Sequence, residues 1–200
     1  DTIPEKAILV SVCAGLQTIE RTQEYLAELA FLLQTAGGVA VKQVVQKLDR
    51  PDTRTYVGSG KLDEIKEYKQ ALDADIIVFD DELSPAQLRN LEKELQCRIL
   101  DRTTLILDIF AKRARTSIAK TQVELAQLKY TAPRLMGQGK DLSRLGGGIG
   151  TRGPGESKLE SDRRHLKEKV VALEKKLSEM EHNRAVMRSQ RDRSGLIKVA

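Results

Sequence analysis

The hydrophobic pattern of this 200-residue chain changes period once, near residue 102, and that change limits what it can fold into. Before it, short apolar runs alternate with amphipathic helical stretches. After it, two long runs repeat apolar residues every three or four positions, with a glycine-rich segment between them.

Residues 7–12 (AILVSV) predict a buried strand. From Arg21 onward Tyr25, Leu26, Leu29, Leu32 and Leu33 share one helical face, and Gly37 and Gly38 supply the stop. Val39, Val41, Val44 and Val45 predict a second strand. Residues 60–72 predict a second helix, with Leu62, Ile65, Tyr68 and Leu72 as its stripe. Residues 75–79 (DIIVF) predict a third strand that ends in the acidic turn Asp80, Asp81, Glu82. Ser84-Pro85-Ala86-Gln87 has the spacing of a capping box with proline at the first helical position, opening a helix to about Gln96. Residues 98–100 predict a fourth, short strand. The order β-α-β-α-β-α-β predicts an α/β domain over residues 1–102, with a mainly parallel four-stranded sheet flanked by helices.

Residues 103–132 hold no glycine or proline, and Leu107, Phe110, Ala114, Ile118, Thr121, Leu125, Leu128 and Ala132 recur at helical spacing. Over residues 157–190, Leu159, Leu166, Leu173, Met180 and Met187 fall seven apart, with Val170 and Leu177 in the alternate seam. Together these runs predict a long antiparallel two-helix hairpin, coiled-coil-like, over residues 103–193, with a glycine-rich tip loop at 137–155.

Charge divides along the same line. Residues 1–102 carry 13 Lys and Arg against 18 Asp and Glu, a net of −5, whereas residues 103–193 carry 20 against 11, a net of +9. A solvated coiled coil needs no such surplus, so the hairpin is expected to face a polyanion. No apolar run approaches the length of a membrane span, and no charged-then-apolar leader opens the chain, so neither a span nor a secretory signal is expected. Cys13 and Cys97 lie far apart without a ligand pattern and read as reduced thiols of a cytoplasmic protein.

Eight of the 14 glycines lie between Gly137 and Gly155, interleaved with Lys140, Arg144, Ile149 and Arg152 and followed by Pro154. Glycine at this density leaves backbone N–H groups bare for close approach to a ligand. The segment reads as a recognition loop, with a flexible linker as the alternative. Residues 148–153 match GxGxxG by letter but follow a helix rather than a strand, the wrong context for a dinucleotide site. Gly58, Gly60 and Lys61 resemble part of a phosphate loop, yet the first glycine and the Ser/Thr after the lysine are absent, and a helix-capping turn explains them as well. Asp80, Asp81 and Glu82 fit either a Mg²⁺ site or a plain acidic turn. His165 and His182 sit 17 apart with no metal-ligand spacing, and no nucleophile has a base near it in sequence, so this chain alone is expected to catalyse nothing.

Residues 146–164 (GGGIGTRGPGESKLESDRR), preceded by Leu125-Ala126-Gln127-Leu128-Lys129-Tyr130 and Pro133-Arg134-Leu135, closely resemble the HflX family of ribosome-associated GTPases. Tyr56-Val57-Gly58-Ser59-Gly60-Lys61 and residues 80–87 (DDELSPAQ) look like further signatures of that family. The resemblance implies an α/β domain and a helical hairpin ahead of a GTP-binding domain, of which residues 194–200 look like the beginning. It implies GTP and Mg²⁺ on that further domain and no cofactor in these residues. It also implies binding to large-subunit rRNA, with the hairpin loop reaching toward the peptidyl-transferase region, and dissociation of stalled ribosomes under stress; the chain is expected to be a monomer. On this resemblance Lys140, Arg144, Gly146, Gly147, Gly148, Ile149, Gly150, Thr151, Arg152 and Gly153 would meet RNA, with Lys158, Arg163 and Arg164 holding flanking backbone. A coiled-coil protein-docking arm with a flexible tip is the alternative.

Overall fold

In a computed structural model of the chain, residues 4–135 and 154–193 are described, the side chains of 135 and 154–162 excepted. The elements are β1 (Lys6–Ala14), α1 (Ile19–Ala36), β2 (Val39–Leu48), α2 (Ser59–Leu72), β3 (Ile76–Phe79), α3 (Pro85–Leu95), β4 (Arg98–Asp101), α4 (Arg102–Arg113), α5 (Ser117–Leu135) and α6 (Pro154–Arg193). The four strands form one parallel sheet in the order β2-β1-β3-β4. Two compact units emerge, one of residues 1–112 with 133–138 and one of residues 113–132 with 139–200.

The first unit is built around β1, whose residues 7–13 are all buried. Its side chains alternate between two cores. Ile8, Val10 and Val12 meet Leu62 and Ile65 of α2 and Leu91 and Leu95 of α3, with Ile77, Phe79 and Ile99. Ala7 and Leu9 meet Leu26, Leu29 and Leu33 of α1 and Leu105 of α4. A strand covered on both faces cannot alternate polar and apolar residues, which is why AILVSV reads as a continuous run.

Local signals terminate these helices as the sequence implies. The Thr18 side chain accepts from the Arg21 N–H to start α1, and Gly37 closes it in the left-handed region at φ 96°. Ser84 and Gln87 form the reciprocal capping box of α3, with Pro85 at its first position. Asp73 and Gln96 end α2 and α3 at φ 50° and 48°.

The stretch expected to run as one helix from 103 to 132 is two. The Thr116 hydroxyl caps the Ala119 N–H and starts α5 afresh, because the two helices serve different cores. α4 turns Leu105 and Ile109 to the sheet, whereas Phe110, counted above in the stripe, is 57% exposed.

In the second unit α5 and α6 present matched seams. Ile118, Thr121, Leu125, Leu128 and Ala132 of α5, continuing the spacing from Ala114 just ahead of it, are withdrawn from solvent at alternating spacings of four and three, and so are Leu166, Val170, Leu173, Leu177 and Met180 of α6. Thr121, Leu125 and Leu173 are the buried centre. Lys129–Glu174 and Lys169–Glu124 ion pairs, at 2.6 and 3.2 Å, flank the seam. The expected stripe stops short at one point: Met187 is 60% exposed. The expected glycine-rich tip loop lies outside the described residues.

Two residues of α1 separate burial from composition. Leu29→Ala should cost about 2–5 kcal/mol, as large-to-small core changes do. Phe31→Ala, at a position 68% exposed, should stay within about 0.5 kcal/mol, both read from urea unfolding midpoints.

Candidate nucleic-acid interface

Of the residues expected to meet RNA, Lys140, Arg144, Gly146, Gly147, Gly148, Ile149, Gly150, Thr151, Arg152 and Gly153 lie outside the described residues. Lys158 belongs to the opening turns of α6, and Arg163 and Arg164 follow it with exposed side chains. α6 begins at Pro154, whose fixed φ and missing N–H suit a first helical position. Local pairing consumes part of the charge on this unit: Lys129, Lys169 and Lys175 engage Glu174, Glu124 and Glu179. Exposed lysines and arginines, among them Lys120, Lys167, Lys176, Arg184 and Arg188, make up the rest of the basic surface.

Gly58, Gly60 and Lys61 sit where β2 passes into α2. Gly58 is the N-cap, and its N–H donates to Gln46 Oε1 at 2.8 Å. Lys61 Nζ lies 2.5 Å from Glu64 Oε2, which holds the Glu64 carboxyl below its usual range. A Cβ at Gly60 would meet nothing within 4 Å, so glycine is not needed there for close packing. These are the contacts of a helix cap.

The carboxyl ends of the strands carry a second polar cluster that the sequence showed only as the run Asp80, Asp81, Glu82. The chain leaves β1 toward β2 and then crosses to β3 on the other side, so β1 and β3 flank the topological switch point. Asp80, 6% exposed, fills it: Arg102 Nη1 donates at 2.8 Å, Ser11 Oγ lies at 3.5 Å, and Arg102 also reaches Glu28 at 2.8 Å. Burial pushes the Asp80 carboxyl upward, with Arg102 pulling the other way. The Tyr56 hydroxyl donates to Asp81, and burial together with that carboxylate pushes the phenol well above its usual range. Among the described residues no group of His, Cys, Asp and Glu is arranged to hold a metal ion.

Asp101, 2% exposed, organises the neighbouring corner. Its carboxylate accepts from Leu83 N–H at 3.1 Å and from the Thr104 N–H and hydroxyl at 2.9 and 2.8 Å. Arg134 joins it there, with Nη2 donating to the Leu83 carbonyl at 2.7 Å and lying 3.6 Å from Asp101 and 3.7 Å from Glu82. In sequence Arg134 looked like one basic residue among many, because the acceptors that bury it come from β4 and the β3–α3 turn, more than thirty residues earlier.

The loop before α2 holds Tyr56 at φ 67°, a left-handed conformation rare outside glycine. Asp52 supports it. Its Oδ1 accepts from the N–H groups of Arg54 and Thr55, both at 2.8 Å, and those bonds hold its carboxyl below the usual range. A carboxylate whose folded pKa is depressed stabilises fully above its unfolded pKa, and the contribution disappears as pH falls through the folded value. Asp52→Asn, which keeps the acceptor oxygen, should therefore lower the urea midpoint at neutral pH. The gap to the parent should close in acid, below the ordinary carboxylate range.

Residues 23–111 match the family model described as GTP-binding GTPase N-terminal, and residues 113–191 match GTP-binding GTPase Middle Region. The GTPase HflX of Lacrimispora saccharolytica is 53% identical over 192 residues, which are 96% of this chain and 45% of that protein. The GTPase HflX of Flavobacterium psychrophilum is 47% identical over 196 residues, covering 98% and 47%, and that of Escherichia coli K12 is 44% identical over 187, covering 94% and 43%. The chain thus spans about half the length of the curated relatives it matches. Among solved structures, the SsGBP–GDP complex aligns with a TM-score of 0.67 at 23% identity over 90% of this chain and 45% of that one. A GTP-binding protein from Sulfolobus solfataricus with GDP aligns at 0.59, also at 23%, over 88% and 46%. At that identity the likeness speaks for the fold. Two adjoining family models and near-complete coverage at these identities establish that the chain belongs to the HflX GTPase family, as its N-terminal and middle region.

Proposed function

We propose that these 200 residues are the ribosome-facing module of a GTPase that dissociates stalled ribosomes into subunits. In this reading the module binds large-subunit rRNA through its basic helical half, with the glycine–arginine segment at 137–155 reaching toward the peptidyl-transferase region. The carrying observation is the net charge of +9 on residues 103–193, set on a helix pair whose narrow seam leaves most of its surface to charged side chains. Arg144 and Arg152 supply the forked donors that suit phosphate, and the glycines let backbone approach RNA closely. GTP and Mg²⁺ belong to the half of the relatives that lies outside these residues, and the protein acts as a cytoplasmic monomer. Shape and phosphate contact are the mode, because seven scattered aromatics offer no stacking platform.

Arg152→Ala, or deletion of residues 146–155, should weaken co-sedimentation with purified large subunits while the helical content is retained. A lost charge-assisted hydrogen bond of about 1.5–3 kcal/mol corresponds to roughly tenfold or more in affinity. The affinity of the parent chain should fall linearly in log–log form as salt rises, through counterion release. Unchanged pelleting of the loop variants at moderate salt would remove the loop from the interface. Salt-tolerant binding would favour a protein-docking arm instead.

A further inference from the structure

Arg134 faces inward where the other basic residues of α5 face water. Its side chain is 11% exposed, whereas Lys120 and Lys129 of the same helix are exposed. Nη2 donates to the Leu83 carbonyl at 2.7 Å and lies 3.6 Å from Asp101 and 3.7 Å from Glu82. A guanidinium taken out of water is tolerated only where acceptors replace its hydration. These acceptors are themselves fixed. Asp101 caps the start of α4 through the Thr104 N–H at 2.9 Å and holds the Leu83 N–H at 3.1 Å.

The backbone around Arg134 needs such a hold. Pro133 sits inside the last turn of α5 and has no N–H, so that turn lacks the bond a helix would make back to the Lys129 carbonyl. Residues up to Ala132 group with the second unit, and those from Pro133 group with the first. The last turn is therefore held from the side by Arg134 as well as from within by the helix ladder. Three residues beyond Arg134 the glycines begin, eight of them between Gly137 and Gly155. Glycine gives up more conformational freedom on ordering than any other residue, so a glycine-dense segment binds a partner more tightly when its ends are already placed. Pro154 opens α6 at one end of that segment, and Arg134 secures the other.

We propose that Arg134 is a positioning residue for RNA binding. By docking on Asp101 and Leu83 it fixes the point from which the chain enters residues 136–153, without itself pairing with phosphate. The inference rests on the rRNA-binding reading above and adds how the glycine–arginine segment is presented.

The test is a double-mutant cycle on the full chain, combining Arg134→Gln with deletion of residues 146–155. Co-sedimentation with purified large ribosomal subunits is measured for each across a salt series. Asp101 keeps its Leu83 and Thr104 donors in the glutamine variant, so the first unit should stay folded. Amide exchange should quicken in the last turn of α5 and stay unchanged in β1 and β3. Affinity should fall about three- to tenfold, by the fraction of chains whose segment is no longer placed. The log–log salt slope should stay within about 0.3 of the parent, whereas a lost phosphate contact lowers it by about 1. In the deletion background Arg134→Gln should change nothing further. Arg134→Lys, which keeps the charge and one donor, should show a smaller loss of the same kind. Unchanged affinity in Arg134→Gln would overturn the inference. So would a slope shallower by about 1, which would make Arg134 a phosphate ligand. An equal loss with and without residues 146–155 would overturn it too, because the role would then be structural. If the deletion alone weakens binding and Arg134→Gln does not, only this inference fails. If the deletion alone is silent, the loop reading fails and takes this one with it.

Discussion

The fold of the first unit depends on β1 having no solvent-facing side. Seven consecutive residues of that strand are buried, so helices must cover the sheet on both faces. α1 and α4 do so on one face, and α2 and α3 on the other. Once β1 is central, the chain must pass first to one side of it and then to the other. The connections that feed the helices then gather at the carboxyl ends of the strands. Burial of one strand thus sets where the polar chemistry of the unit collects.

What collects there is paired charge. Asp80 and Asp101 are almost fully buried, and a carboxylate at that depth is tolerable only with donors around it. Arg102 and Ser11 supply them for Asp80; Leu83, Thr104 and Arg134 supply them for Asp101. The switch point, a common ligand position in open α/β sheets, is filled by the protein's own ion pairs. The Asp101 cluster also ties Arg134, near the end of α5, to the first unit.

The second unit follows a different economy of surface. Two seams bury Thr121, Leu125 and Leu173 at their centre, and most other described residues of both helices are exposed or half-buried. Lysine–glutamate pairs neutralise one another along the flanks, while arginines accumulate at Arg163 and Arg164 and again beyond Met180. The printed ion pairs thus neutralise only part of the charge on a stretch whose sequence carries a net of +9.

By itself the sequence determined the order of strands and helices, the capping box at Ser84, the register of both helical seams and the charge asymmetry. Each is a local, periodic or compositional property: a continuous apolar run marks a strand covered on both faces, and apolar spacing at three and a half residues marks a helical seam. Tertiary structure decided the rest. The break at Thr116 carries no glycine or proline, and it exists because α4 must turn Leu105 to the sheet while α5 turns Leu125 to α6. Met187 continues the heptad in letters, yet it stays exposed where packing has ended. Arg134 becomes a buried anchor because Asp101 and Leu83, distant in sequence, arrive beside it. A periodic pattern shows which face of a helix is apolar, but only the folded chain decides whether anything is there to cover it.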